Sequence, residues 1–241
     1  MQVAVHGIAN PSPFLSARDL IETEFDVAQP VHVKLRENPD ERTWTAHYDH
    51  HHVLNVSHRV ASSAMARELA LHEYAHMHQY EQGHASHRQS TREALYLSFA
   101  GSPLDDQILT HGVQIANHMK DIYADDITLR VGPGEKLVTF LESQLASAIA
   151  SRGAHTDPST DTITAVNAAF ALALCERHQL VEESHRLYDF AEVAKTDADW
   201  VPFDEFKHRF RSLPEDPSSS QYRHQLVTTL KAYAQCVPVA D

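Results

Sequence analysis

The segment from residue 66 to residue 83 contains the pattern that most constrains this chain. Residues 72–76 read His-Glu-Tyr-Ala-His, which is the pattern H-E-x-x-H. Residues four apart lie on one face of an α-helix, so His72 and His76 are placed to bind one metal ion. Glu73 lies one position round the helix, within reach of a water molecule on that ion. The pattern therefore predicts a helix with a metal site on one face.

The residues around this pattern favour a half-buried helix. No proline or glycine interrupts residues 61–82, and Gly83 is a plausible helix terminator. Leu69 and Ala75 fall at helical spacing with the two histidines. The alternative is an ordinary helix that carries two packed or solvated histidines, with Glu73 on the surface.

The charge balance bears on the partners of the chain. It has 33 acidic residues against 20 lysines and arginines, only six of them lysine, and its net charge is -13. Such a charge argues against nucleic acid as the main partner, because phosphate groups would be repelled. Scarce lysine and abundant acid are also typical of proteins from salt-loving microbes, where salt screens the self-repulsion.

The cytoplasm is the expected location. The sequence has no long apolar run that predicts a membrane-spanning helix. The first residues lack the basic region and continuous apolar core of a secretory signal. Cys175 and Cys236 are expected to be reduced thiols, since no C-x-x-C pattern is present.

The pattern of apolar residues predicts an α+β fold. Three short strands, at 31–36, 43–48 and 53–57, precede the helix with the H-E-x-x-H pattern. Short turns join them, so we expect a small antiparallel sheet packed on that helix and a mostly α-helical remainder. We predict a metal-binding domain over residues 1–133 and a helical part over 134–241 that packs on it as one unit.

The predicted helices beyond the metal-binding pattern include a long one at about 104–129. The stretch 165–174 is apolar enough to be a buried helix. Further helices are predicted at 135–150, 161–177, 182–193, 203–211 and 221–233.

A second group of histidines occurs at residues 47–52, which read His-Tyr-Asp-His-His-His. Such a cluster is a candidate for a second metal site. It falls at a predicted hairpin turn, where solvated polar side chains are expected in any case.

A catalytic zinc ion needs a third protein ligand and an open position for water. One candidate is Glu93, 17 residues after His76. The other is Asp121, which shares a helix face with Asp125, so that one carboxylate can bind the metal while the other accepts a hydrogen bond from a ligand histidine. Asp125 or His118 as the third ligand, or no third ligand, are also open at this point.

Together, the H-E-x-x-H pattern and residues 121–125, Asp-Ile-Tyr-Ala-Asp, resemble the zincin metallopeptidases that carry a downstream E-x-x-A-D. The resemblance covers about residues 30–130 and includes the strand at 52–57. It implies a zincin-like fold and Zn²⁺ bound by His72, His76 and Asp121. The chain also resembles, more loosely, an uncharacterised family of cytosolic proteins from halophilic archaea.

The resemblance also implies roles for two acidic residues. Glu73 is the general base, and Asp125 supports a ligand histidine. The sequence departs from the family at residue 121, where aspartate replaces glutamate. Because aspartate is one methylene shorter, the two helices must approach more closely.

The activity implied is zinc-dependent hydrolysis of peptide bonds, with an extended substrate along an edge strand at 43–48 or 53–57. Four residues are candidates for a second donor to the oxyanion. They are Tyr96, His118, Tyr123 and Arg130.

Two other functions compete with peptide hydrolysis. One is a non-catalytic zincin-fold protein with a structural metal or a protein-binding role. His78, His84 or His87 would then supply a fourth ligand. The other is a helical interaction protein without metal.

Overall fold

The computed structural model describes residues 1–101, 106–151 and 157–237. Within these ranges a small sheet is combined with many helices, so the predicted α+β class is confirmed. The elements are β1 (Val3–His6), α1 (Ser12–Ile21), β2 (Val31–Arg36), β3 (Trp44–His47), β4 (His52–Ser57), α2 (His58–Ala61), α3 (Ala66–Glu81), α4 (Ala85–Arg88), α5 (Thr91–Phe99), α6 (Asp106–Val131), α7 (Glu135–Ala150), α8 (Pro158–Arg177), α9 (Arg186–Asp197), α10 (Phe203–Arg211) and α11 (Ser219–Cys236).

The sheet is mixed, so the prediction of an antiparallel sheet is wrong. Its strand order is β1-β2-β4-β3. Strands β1 and β2 pair in parallel, as do β2 and β4, while β3 and β4 form the antiparallel pair. The prediction assumed that consecutive strands are neighbours. Instead β4 lies between β2 and β3, and it pairs with β2 in parallel.

Strand β4 is central and β3 lies at an edge of the sheet. All six residues of β4 are buried, as expected of a strand with neighbours on both sides. Strand β3 pairs with β4 through Thr45 opposite Leu54 and His47 opposite His52. Thr45 and His47 therefore share the face of the sheet to which Leu54 belongs.

The structure divides into two compact units. The first contains Met1–His87 and Tyr123–Lys136, and the second contains Arg88–Ile122 and Leu137–Asp241. Helix α6 is continuous and contributes residues to both. The domain boundary predicted at residue 133 stays a prediction.

The first unit has one hydrophobic core to which β2, β4, α1 and α3 contribute. Leu71, Tyr74, Ala75 and Met77 are the buried residues of α3 nearest the H-E-x-x-H pattern. Their spacing places them on the face of α3 that turns toward the core, which leaves the histidine positions half-buried. The core thus fixes which face of α3 carries the candidate metal ligands.

Helix α3 is shorter at its start than the uninterrupted run of residues 61–82 suggested. Residues 58–61 form the separate helix α2, whose N-cap Ser57 accepts a hydrogen bond from the Val60 N–H. Gly83 follows α3 with a φ of 68°, a left-handed conformation that favours glycine. This turn confirms the predicted helix end and sends the chain into α4.

The second unit is helical. Helix α8 is buried over most of its length, which confirms the buried helix predicted at 165–174. Helices α9 and α10 pack against α8, and α11 packs against α5. The start of α6 that was predicted at residue 104 lies outside the described residues. None of the helices in the described ranges is long and apolar enough to cross a membrane.

Candidate metal centre

Helices α3 and α6 bring three potential metal ligands together. One nitrogen each of His72 and His76 and one carboxylate oxygen of Asp121 all lie within 4.8 Å of one another. None of the three side chains is fully buried. Asp121 stands one helical turn before Asp125 on the same face of α6, so the contact of Asp125 with α3 also positions Asp121.

These residues fit a divalent zinc ion. Two imidazole nitrogens and one carboxylate oxygen are a donor set that catalytic zinc sites use. Nε2 of His72 and Nε2 of His76 are 3.0 Å apart. Two nitrogen ligands of a tetrahedral zinc ion would be roughly 3.3 Å apart, given zinc–nitrogen distances of about 2.0–2.1 Å. The two rings therefore need only a small adjustment to hold the ion.

The outer nitrogen of His72 is held by a carboxylate. Nδ1 of His72 lies 2.8 Å from Oδ1 of Asp125, which is 4% exposed. Because an ionised carboxylate only accepts, Nδ1 donates and carries the ring hydrogen. Nε2 then carries the lone pair, which faces His76. Asp125 thus contacts the side of the His72 ring that points away from His76, and its role as support for a metal ligand stays a prediction.

The outer nitrogen of His76 meets another histidine. Nδ1 of His76 is 2.8 Å from Nε2 of His87. His87 is therefore bound to the far side of a candidate ligand and is not part of the three-residue group. His78 is also elsewhere, with its Nδ1 2.7 Å from the carbonyl oxygen of Asp26.

Glu73 is tied to the edge strand of the sheet. Thr45 Oγ1 donates to Oε2 of Glu73 at 2.6 Å. The carboxylate is part-buried, and its place beside His72 follows from the helix. The candidate general base and the candidate substrate-binding strand are thus in direct contact.

A close approach of α3 and the end of α6 accompanies this arrangement. A Cβ atom added to Gly132 would lie 3.2 Å from Leu71 Cδ2 and 3.3 Å from the Thr128 carbonyl oxygen. The Leu71 contact is tighter than about nine in ten that real Cβ atoms make, whereas the Thr128 oxygen belongs to α6 itself. Glycine at this position therefore leaves room for the Leu71 side chain of α3.

The competing third ligand, Glu93, lies outside the group that the described residues form. It is an exposed residue in the first turn of α5. Its backbone N–H donates to the N-cap Ser90 Oγ at 3.2 Å, and Gln89 Nε2 lies 3.4 Å from its carboxylate. These contacts are those expected of an acidic residue in the first turn of a helix.

Of the four candidate oxyanion donors, His118 lies beside a proposed ligand. Its Nδ1 is 3.8 Å from Oδ2 of Asp121. Its ring stacks on Phe170 with centroids 4.1 Å apart, and its Nε2 is 2.9 Å from Oδ1 of Asn167.

The other three candidate donors have different surroundings. Tyr96 is 75% exposed, and Arg130 pairs with Glu24 at 2.8 Å. Tyr123 is buried, and its ring lies beside that of His84.

The second histidine group, at residues 47–52, does not form a metal cluster within the described ranges. His52 is fully buried, with Nε2 3.0 Å from Oε1 of Glu81 and Nδ1 3.0 Å from Nδ1 of His47. Glu81 also accepts hydrogen bonds from the backbone N–H groups of Ala28 and Gln29, at 2.7 and 2.9 Å. Burial lowers the pKa of the His52 imidazole, and the Glu81 carboxylate opposes that shift.

Two neighbours of the site, Thr45 and His87, were missed by the sequence analysis in these roles. Thr45 belongs to a predicted strand, and no local pattern reveals its bond to Glu73. The sequence predicts His87 only as a fourth ligand for a structural metal. A signal for either contact would have required knowing which segments pack together.

The chain belongs to a protein family described as a family of unknown function (DUF5781), whose profile matches residues 1–235. Neither the curated proteins nor the solved structures gave a match. Membership accords with the predicted resemblance to an uncharacterised family, while the relationship to the zincins stays a prediction.

Proposed function

For this member of a family without an assigned activity, we propose a zinc-dependent peptidase. Zn²⁺ would be held by His72, His76 and Asp121, and Glu73 would act as the general base. The observation that carries the proposal is the grouping of these three ligand atoms within 4.8 Å of one another, two of them on the helix that also carries the candidate base. The fold class alone would not support it, since one fold hosts many activities.

The donor set favours catalysis over a purely structural metal. Structural zinc sites have four protein ligands, whereas catalytic sites keep three and leave a position for water. Within the described residues the group has three members. A bound zinc ion supplies a water of lowered pKa and polarises the substrate carbonyl.

Glu73 would move the proton in the proposed reaction. Its carboxylate can take a proton from the attacking water and later deliver it to the leaving amine. Thr45 donates to one oxygen of this carboxylate at 2.6 Å, which limits its rotation. The hydroxyl thereby orients the base without competing for the proton that the base must accept.

The edge strand β3 is the proposed platform for an extended peptide. Of the two strands considered from the sequence, β4 is central and buried, whereas β3 lies at the edge. A peptide that pairs with β3 would be held by main-chain hydrogen bonds. The bond from Thr45 to Glu73 would then place the peptide beside the general base.

We further propose that the substrate is a peptide or protein and that the activity is cytoplasmic. Nucleic acid is not proposed as a partner, because the net charge of -13 would repel phosphate. No membrane partner is proposed.

The test combines metal analysis with a search for peptide cleavage. Untagged parent protein, purified in high salt, should carry about one zinc ion per chain, as a mononuclear site requires. The double variant His72→Ala/His76→Ala should lose the ion. Glu73→Gln should retain zinc and lose cleavage of a peptide library.

The control is His78→Ala, a histidine of the same helix that contacts the Asp26 carbonyl instead of the site. It should behave like the parent. A parent that takes up no zinc after the ion is supplied would contradict the proposal. Zinc bound without any cleavage would favour the structural or protein-binding role instead.

A further inference from the structure

A chain of hydrogen bonds leads away from the outer nitrogen of His76. Nδ1 of His76 lies 2.8 Å from Nε2 of His87, and Nδ1 of His87 lies 2.8 Å from Ser86 Oγ. Ser86 Oγ lies 2.7 Å from Nδ1 of His84. We call these four residues, His76, His87, Ser86 and His84, the imidazole chain.

The fold brings the imidazole chain together through one turn. His76 and His87 are separated by the last turns of α3, the left-handed Gly83 and the start of α4. Ser86 is fully buried in α4. A buried hydroxyl has to find its hydrogen-bond partners within the protein, so its two imidazole neighbours are its natural partners.

The direction of these hydrogen bonds is set at the end that lies farthest from the metal ligands. The backbone N–H of Ser86 donates to Nδ1 of His84 at 3.3 Å. A peptide N–H can only donate, so Nδ1 of His84 is an acceptor without a hydrogen. The Ser86 hydroxyl must then donate to the same nitrogen, because two acceptors cannot share a bond.

The remaining bonds follow in sequence. A hydroxyl has one hydrogen, so Ser86 Oγ accepts from Nδ1 of His87. In a neutral imidazole the other nitrogen is the acceptor, and Nε2 of His87 therefore accepts from Nδ1 of His76. Nε2 of His76 then carries no hydrogen, and its lone pair faces Nε2 of His72 at 3.0 Å.

His72 and His76 are thus both held as the Nδ1–H tautomer, each by a different group. The Asp125 carboxylate fixes the tautomer of His72, and a backbone N–H acting through three side chains fixes that of His76. Two lone pairs that face each other repel unless a cation lies between them. The network therefore presents both nitrogens in the form that a metal requires.

We propose that His87 is a positioning residue, which holds His76 in the Nδ1–H tautomer so that its Nε2 can bind zinc. Ser86 and His84 act through His87 by fixing the direction in which it accepts. This inference rests on the proposed function, since it assigns the support of one proposed ligand. It also means that His87 contacts a ligand and does not serve as one.

The test compares His87→Leu with His87→Gln. Leucine removes the acceptor, whereas the glutamine side-chain oxygen can accept from Nδ1 of His76. Zinc affinity is measured by competition with a chelator, and the tautomer of His76 is read by ¹⁵N NMR of the metal-free protein. His78→Ala is the control, and thermal unfolding verifies that each variant is folded.

We expect His87→Leu to weaken zinc binding about 10–100-fold, the usual effect of losing the partner of a metal-bound histidine. It should also lose the Nδ1–H preference of His76. His87→Gln should restore both readouts toward the parent, and Ser86→Ala should give a smaller loss than His87→Leu.

Parental zinc affinity in His87→Leu would overturn the positioning role. An equal loss in His87→Gln and His87→Leu would also overturn it, because packing alone would then explain both. If zinc-loaded parent cleaves no peptide while the ranking of affinities holds, the proposed function fails and the positioning role stands.

Discussion

Two histidine–carboxylate pairs lie along α3 and contrast with each other. His72 pairs with Asp125 at 2.8 Å, and His52 pairs with Glu81 at 3.0 Å. The His52 side chain is fully buried, whereas that of His72 is 24% exposed. Each pair therefore joins a histidine to a carboxylate, and the two pairs differ in how far the histidine is buried.

The second nitrogen of each ring shows what the difference means. In His52 both nitrogens have partners in the protein, Glu81 on one side and His47 on the other. In His72 the second nitrogen faces the equivalent nitrogen of His76. Because both nitrogens of His52 are hydrogen-bonded within the protein, its ring links β4 to α3. The Nε2 lone pair of His72 faces His76, so the His72 ring can bind a metal.

The largest effect is expected for Asp121→Ala compared with Glu93→Ala. Loss of a ligand should reduce zinc affinity by more than the 10–100-fold that loss of a supporting residue causes. Glu93→Ala should leave the affinity near that of the parent, because Glu93 lies outside the ligand group. Chelator competition measures both, and the reverse ranking would make Glu93 the ligand.

Asp125→Asn should have the next largest effect, about a 10–100-fold loss in zinc affinity. Asparagine can still accept from His72 through its oxygen but removes the negative charge that strengthens the ligand. Isothermal titration with zinc measures the change. An unaltered zinc affinity would mean that Asp125, like Glu81, has no part in metal binding.

Glu81→Gln tests the His52–Glu81 pair, which is expected to affect stability and not zinc binding. The Glu81 carboxylate accepts from two backbone N–H groups and from His52, and its side chain is only 9% exposed. Replacing the charged acceptor should lower the free energy of unfolding by about 1.5–3 kcal/mol, the range for hydrogen bonds to charged groups. Denaturant titration measures this, and zinc affinity should stay at the parental value.

Part of this arrangement was predictable from local sequence. The helix over the H-E-x-x-H pattern and the shared face of Asp121 and Asp125 follow from helical spacing alone. Helices α7 and α10 begin and end where the apolar pattern predicted. These features depend on residues close in the chain.

The features that were missed depend on distant pairing. In the sheet, β4 lies between β2 and β3 and pairs with β2 in parallel. The bonds of Thr45 to Glu73 and of His87 to His76 join separate elements. Periodicity contains no information on which of several strands or loops will meet, so these contacts became visible only in the structure.

The smallest effect concerns the pH dependence of stability. Burial lowers the pKa of His52 below its ordinary value of 6.5, although Glu81 opposes the shift. As pH falls below about 6.5, the unfolded state binds the proton first, so the free energy of unfolding decreases toward the pKa of the folded state. The slope from this one group is at most about 1.4 kcal/mol per pH unit.

His52→Gln should reduce this slope, because glutamine does not titrate but can still donate to Glu81. Denaturant titrations at several pH values would compare it with the parent and with a His78→Gln control. Identical slopes in parent and variant would mean that the pKa of His52 does not differ between the folded and unfolded states.

The missing side chain of Gly132 has a consequence for how the site can change in evolution. An alanine there would require Leu71 to give way by a few tenths of an ångström, beside the turn of α3 that carries His72. Leu71 directly precedes His72 in α3, so a larger residue at position 132 would act on the segment of a proposed ligand through the packing of its neighbour. The side chains that position 132 can accept therefore depend on how far Leu71 can move.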